Sequence, residues 1–444
     1  MKLDNITAIA TPLSPSGVAV IRISGDSPLE IAEKMFKPSA KINVKDFTPN
    51  VMYPGEILAE DFKDFGLCVF FKGPKSFTGE DTVEFHSHGG VAITKGILQK
   101  ILSLGARLAE RGEFTKRAFM NGKLSLSSCE GLIDMINSES VSSIKAGYAL
   151  YRERLTNTVI ELQDVLLDSL AEIDADMDFP EEDLEAVSRE NVKEALKKVT
   201  LKLESLISTF KQGRILKNGV KVAIVGKPNT GKSSLLNALL NYDKAIISSI
   251  AGTTRDIVEG SIDINGVRFN FLDTAGIRES QDSIESIGVE LSKKTLASSD
   301  IVLFLIDGAN YTKEDKEVYD MVKDYNHITV LNKIDVKDNS DVKCDVKISA
   351  LNKTNVDNLS KMLYDKAVGE IDINQDFLCE ERHLIALKNA KEKLDFAIMQ
   401  IDTMPLDLVS IDVKSAWDSL GEITGKTATE EIINNIFSKF CVGK

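Results

Sequence analysis

The sequence predicts a multidomain protein of α/β and all-α parts. These are an N-terminal α/β domain, a helical domain, and a P-loop α/β domain inserted into the helical one, its parallel-rich sheet covered by helices on both faces. Three observations lead there. At 444 residues the chain exceeds what one core organises. The apolar, β-branched run Val220–Val225 opens directly into Gly226-Lys227-Pro228-Asn229-Thr230-Gly231-Lys232-Ser233, a G-x-x-x-x-G-K-S loop between a buried strand and a helix. Helical periodicity precedes that segment and returns after it, the pattern of a compact domain inserted into a helical host. The expected boundaries are 1–120, 121–217, 218–370 and 371–444.

Bulk composition narrows the class. Hydrophobic residues at 43% and charged residues at 27% are ordinary for a soluble globular protein. A net charge of −14 argues against a large nonspecific nucleic-acid groove, though not against a local basic patch. The five cysteines form no C-x-x-C pair and suit a reducing compartment. Neither a signal peptide nor a membrane span is read, so a cytoplasmic setting is expected, with a mature organellar protein left open.

In residues 1–120, strands are expected at Val18–Ser24, Gly66–Phe71 and Thr82–His86, with helices at about Leu29–Phe36 and Val91–Leu104. His86 and His88 lack a nearby third ligand and read as loop histidines rather than half of a metal site. Between Gly105 and Lys123, five cations (Arg107, Arg111, Lys116, Arg117, Lys123) oppose Glu110 and Glu113, and five minus two gives +3. That excess fits an anion or RNA contact and a solvated helix face equally.

From about Ser125 the chain turns helical. Ile144, Tyr148, Tyr151, Leu155, Val159, Leu162, Leu166, Leu170 and Ile173 recur at spacings of three and four, predicting one long amphipathic helix. The acidic stretch 174–183, with Pro180, then reads as a solvated break. Further helices are expected at about Asn191–Gln212, Arg382–Ile401, Leu406–Gly421 and Ala428–Phe440. Long helices of this kind also invite a homodimer.

The remaining nucleotide motifs follow the P-loop in order. Successive backbone N–H groups of Asn229, Thr230, Gly231, Lys232, Ser233 and Ser234 face phosphate at a helix N-terminus; Lys232 reaches the β- and γ-phosphates and Ser233 can ligate Mg²⁺. A loop with Ser248, Ser249, Ile250, Ala251, Gly252, Thr253 and Thr254 follows, and one of its threonines can complete the Mg²⁺ shell. Ile262–Leu272 alternates around Asn265-Gly266, a type I′ hairpin signal, and ends in Asp273-Thr274-Ala275-Gly276, where the aspartate can hold Mg²⁺ through water. Asn332-Lys333-Ile334-Asp335 ends another strand; the Asp335 carboxylate accepts two N–H groups of guanine, a pair adenine lacks. Ser349-Ala350 would back the base. Four motifs at strand ends specify a guanine-nucleotide hydrolase. One part is missing: Ile277 stands where many small GTPases place the water-orienting glutamine, so extra positive charge, a monovalent cation or a partner's arginine, is required.

The segments ATPLSPSGVAVIRISG, SFTGEDTVEFHSHGG, RGEFTKRAFMNGKLSL, GKPNTGKSSLLNAL, IAGTTRD, DTAGIRES and the terminal FCVGK run from one end of the chain to the other. In them the whole chain resembles the MnmE (TrmE) family of tRNA-modification GTPases. This resemblance implies an N-terminal domain that dimerises and binds 5-formyl-tetrahydrofolate, and an inserted Ras-like domain. It also implies a flavoprotein partner, MnmG (GidA), in a heterotetramer or larger complex, which together with this chain adds an aminomethyl or carboxymethylaminomethyl group to carbon 5 of tRNA wobble uridines. The folate contacts it implies are Arg22, Glu84, Lys123 and Lys444, with Cys441 functionally required or, alternatively, a packing residue. For hydrolysis it implies K⁺ held by Asn229, Ser248, Ile250 and Thr253, and Mg²⁺ held by Ser233 and Thr254. Glu285 would act on the attacking water indirectly, with Arg278 as helper beside Lys232. Ser248 stands where many members have threonine. The competing classes are a ribosome-assembly or signalling GTPase switch and a folate-dependent one-carbon enzyme with a regulatory GTPase. The first would carry an RNA-binding appendage and lack FCVGK.

Overall fold

The computed structural model describes residues 4–178, 185–240, 258–272, 295–338, 342–369 and 377–444. The chain divides into two compact units: Met1–Ile133 with Leu150–Val199 and Glu392–Lys444, and Asp134–Ala149 with Thr200–Lys391.

The first unit holds a seven-stranded sheet of β1 (Ile6–Ile9), β2 (Ser16–Gly25), β3 (Phe36–Pro38), β4 (Met52–Leu58), β5 (Lys63–Phe71), β6 (Asp81–Gly89) and β7 (Arg107–Leu108). Their spatial order is β3-β4-β5-β6-β2-β1-β7. Side chains alternate across a strand, so Ile21, Ile23, Val83 and Phe85 share one face. They bury it with Ile31 and Met35 of α1 (Pro28–Met35) and with Ile97 and Ile101 of α2 (Val91–Ser103). The same alternation sends Arg22 and Glu84, paired directly across β2 and β6, to the opposite face.

Helices α3 (Glu113–Met120) and α4 (Leu126–Ile136) follow. The predicted long amphipathic helix is two helices, α5 (Val141–Tyr151) and α6 (Arg154–Asp178). The apolar spacing runs on across the junction, but Glu153 adopts a left-handed φ of 61° that no helix accommodates. Its carboxylate accepts from the Ser128 hydroxyl at 3.1 Å, which holds the break in place. The acidic stretch also begins inside a helix, since α6 runs to Asp178. Pro180 lies outside the described residues. The next helix, α7, spans Glu185–Ser208 and is followed by α8 (Phe210–Asn218), where one helix over Asn191–Gln212 was expected.

The second unit carries a six-stranded sheet of β8 (Val220–Val225), β9 (Val258–Ile264), β10 (Val267–Leu272), β11 (Ile301–Asp307), β12 (His327–Asn332) and β13 (Val346–Lys347), ordered β13-β12-β11-β8-β10-β9. All neighbours are parallel except β9 and β10. The continuous apolar run of β11 is explained by burial on both faces. Ile301, Leu303 and Leu305 enter one core with α9 (Lys232–Leu240) and α11 (Val356–Ala367). Val302, Phe304 and Ile306 enter the other with Val322 of α10 (Lys313–Val322). The hairpin turn is as its residues require: Asn265 and Gly266 have φ of 52° and 82°, the two positive values of a type I′ turn.

The later helices are α12 (Glu381–Gln400), α13 (Leu406–Thr424) and α14 (Glu430–Ser438). In the first unit the buried stripe of α6 (Val159, Leu166, Ile173) is matched on α13 by Val409, Val413, Ala416 and Leu420. The Gln163 amide donates to the Trp417 carbonyl at 2.9 Å between these helices. Ile436, Phe437 and Phe440, in and just beyond α14, pack on Leu126, Cys129 and Ile133 of α4.

Candidate functional site

The P-loop lies between β8 and α9, where the carboxyl end of a parallel strand meets a helix N-terminus. Gly226 must be glycine, because a Cβ there would lie 2.4 Å from the Leu305 carbonyl oxygen. Gly231 must be glycine too, with φ of 94° and Asn332 Nδ2 2.5 Å from its would-be Cβ. Asn229 takes φ of 63°, a left-handed conformation asparagine tolerates. The Lys232 ammonium donates to the carbonyls of Gly226 and Lys227 at 2.9 and 2.8 Å, so its charge sits at the loop's centre. Ser233 and Ser234 are exposed in the first turn of α9.

The base-recognition loops are joined to this cradle by side chains. Asn332 Nδ2 donates to the Thr230 carbonyl at 2.9 Å, while its Oδ1 accepts from the Ala350 N–H at 3.0 Å. The Lys333 ammonium donates to the Asn229 carbonyl at 2.6 Å and to Asp307 at 2.7 Å. The Ser349 hydroxyl donates to Asp335 Oδ1 at 2.5 Å, fixing the carboxylate that would read guanine. Three sequence-distant segments are thus brought together at one candidate site. Ser248, Ser249, Ile250, Ala251, Gly252, Thr253, Thr254, Asp273, Thr274, Ala275, Gly276, Ile277, Arg278 and Glu285 lie outside the described residues.

The first unit holds a second polar cluster. Arg22 Nε donates to Glu84 Oε1 at 2.6 Å, and the guanidinium lies 5.8 Å from the Phe77 ring centre and 5.6 Å from that of Phe114. Burial pushes the Glu84 carboxyl up, but His86 and Arg22 more than offset it and hold it below its ordinary value. Lys123 donates to the Pro74 carbonyl at 2.9 Å. The C-terminal tail returns to this unit: Val442 bridges Arg111, and Gly443 packs on the Ile9 carbonyl at the end of β1. That carries Cys441, which is exposed, and Lys444 to the strand beside β2.

Two expectations change here. His86 and His88 are on β6 rather than in a loop, because the strand runs on to Gly89. Each faces a carboxylate, Glu84 at 3.3 Å and Asp64 at 2.7 Å. Among the described residues no group of three or more His, Cys, Asp or Glu is placed to hold a metal. Two of the five cations in the basic stretch are paired with carboxylates of the same unit. Arg107 binds Asp4 and Glu113, and Arg117 binds Asp4, Glu80 and Glu113, which favours a structural role for these two.

A family model described as the MnmE helical domain matches residues 126–441. The chain belongs to the MnmE family. A second model, the GTP-binding protein TrmE N-terminus, matches residues 5–123. The tRNA modification GTPase MnmE of Thermoanaerobacter pseudethanolicus is 40% identical, with all of both chains covered. That of Thermoanaerobacter sp. is 39% identical over the same full coverage. The Lactobacillus gasseri protein of the same name is 38% identical over all of this chain and 99% of its own. As a member of the MnmE family the chain is a GTP hydrolase of tRNA modification, built from an N-terminal α/β domain, a helical domain and a P-loop GTPase domain, and uses GTP with Mg²⁺. Among the described residues no helix is long and apolar enough to cross a membrane.

Sequence reasoning missed Asp307, which carries no motif of its own and is marked only by ending a buried strand. It also missed Lys227, because the x positions of a P-loop carry no residue requirement, and Asp315, which sits in the first turn of α10 and belongs to no nucleotide motif.

Proposed function

We propose that this chain is a K⁺-stimulated GTPase that acts with the flavoprotein MnmG (GidA), in a heterotetramer or larger complex, to add an aminomethyl or carboxymethylaminomethyl group to carbon 5 of certain tRNA wobble uridines. The observation that carries the reading is the Asn332 bridge, which ties a guanine-reading loop to a phosphate cradle in a chain of this family. Lys232, Asn229–Ser234, Asn332, Lys333, Asp335, Ser349 and Ala350 bind GTP. Ser233, exposed at the first turn of α9, has the hydroxyl that would hold Mg²⁺, together with Thr254. K⁺ supplies the charge that Ile277 leaves wanting, through Asn229, Ser248, Ile250 and Thr253. Glu285 acts on water, helped by Arg278. The Arg22–Glu84 pair suits a folate such as 5-formyl-tetrahydrofolate: the guanidinium recognises pterin oxygens or the glutamate tail, the carboxylate pterin N–H donors. Lys123, Lys444 and Cys441 complete that end. Homodimerisation through residues 1–120, meeting of two GTPase domains across their switch segments, and a cytoplasmic setting belong to the same reading, as do the boundaries 121–217, 218–370 and 371–444.

Mass spectrometry of wobble uridines in cells lacking this protein tests the proposal. Loss of the carbon-5 group is expected. Intact modified uridine would overturn it and favour an assembly switch.

A further inference from the structure

The second residue of the P-loop is anchored from outside the nucleotide site. The Lys227 side chain is 8% exposed and its partner, that of Asp315, is fully buried. The ammonium lies 2.7 Å from Asp315 Oδ2 and donates to the Thr312 hydroxyl at 2.8 Å and to the Asn310 carbonyl at 3.1 Å. Three acceptors use all three N–H groups of a lysine. Asp315 Oδ2 also accepts from the Thr312 N–H at 2.7 Å, closing the capping box at the start of α10. The other end of the same residue faces the phosphate loop: the Lys227 carbonyl accepts from the Thr230 hydroxyl at 2.9 Å and from Lys232 at 2.8 Å.

We infer that Lys227 is a positioning residue for GTP, seating the front of the phosphate loop on the α10 N-terminus so that Thr230 and Lys232 are held in place. The consequence for kinetics is specific. Contacts to the phosphates that do not react are made alike in ground and transition state, so loosening them raises KM and speeds nucleotide release far more than it lowers kcat. A pair serving only to cap α10 would change the melting temperature and leave KM alone.

Lys227→Met strands a buried carboxylate, so the informative variant is K227M/D315N, which keeps the interior neutral. It is purified with GDP, which favours the folded state by mass action. The loss expected is that of about one hydrogen bond, or about tenfold in KM for GTP and in GDP release rate, with kcat within about threefold of the parent. Parent KM and release rate in the folded double variant overturn the inference. Should that variant not fold, Lys227→Arg carries the test. Its charge keeps Asp315 paired, but its planar fork cannot occupy a seat built for one nitrogen among three acceptors. GDP release about threefold faster than the parent is expected. An unchanged rate overturns the inference.

Discussion

Asn332 and Thr230 are joined by a 2.9 Å hydrogen bond from the asparagine side chain to the threonine carbonyl, so the segment proposed to read guanine is fastened to the P-loop. Replacing Asn332 by alanine leaves that carbonyl and the Ala350 N–H without their partner in a buried place. A loss of about 1–3 kcal/mol in stability is expected, together with weaker GTP binding. Thermal unfolding and nucleotide titration measure the two, and a variant matching the parent in both would refute the bridge.

Asp335→Asn should relax guanine selectivity. The carboxylate that accepts two N–H groups, fixed by Ser349 at 2.5 Å, becomes an amide with one acceptor and one donor. Competition between GTP and ATP for the purified protein reads this directly, and an unchanged preference for GTP would rule out the role.

Replacing Na⁺ by K⁺ should raise GTP turnover, and Asn229→Ala should remove most of that response while nucleotide still binds. Asn229 holds a left-handed backbone and its carbonyl is taken by Lys333, so the alanine variant also carries strain of about 1 kcal/mol. Equal rates in the two salts for the parent protein would sink the K⁺ proposal.

Arg22→Met should cost about 3 kcal/mol, because it leaves the Glu84 carboxylate without its 2.6 Å partner in a largely buried place. Binding of 5-formyl-tetrahydrofolate, followed by calorimetry, should fall about tenfold or more. Retained affinity with lowered stability would make the pair structural only.

Asp134 predicts a pH effect. Its carboxylate lies 2.9 Å from the Lys217 ammonium, which also pairs with Glu380. Burial and the Glu380 charge outweigh Lys217 and push the Asp134 carboxyl up to about 7 from its ordinary 3.8. Within that window the folded state keeps a proton that the unfolded chain has released, so this group's contribution to stability falls as pH rises. Lys217 is shifted upward, so its contribution is complete below 10.5 and plays no part there. The melting temperature of Asp134→Asn relative to the parent should therefore rise between about pH 4 and pH 7. A difference independent of pH would contradict the assignment.

Much of the nucleotide domain was legible because its signals are local. Asn265-Gly266 demanded a turn with two positive φ values and formed it. The apolar run of Val220–Val225 leading into the P-loop was read as a buried strand, and Val220, Val222 and Ile224 enter the core. The junction at Glu153 was not legible, since apolar residues three and four apart continue across it and the groups that reward the break, the Ser128 hydroxyl and the Ser125 N–H, lie far off in sequence.

By itself, then, the sequence determined the P-loop and the guanine motif, the strands that carry them and the family, because each depends on residues near one another in the chain. Tertiary structure alone decided that Asn332 holds Thr230, that Arg22 faces Glu84 across two strands, and that Lys227 is seated on Asp315. Those contacts join segments far apart in sequence, and a buried charge or amide finds its partner only once the fold has removed water from around both.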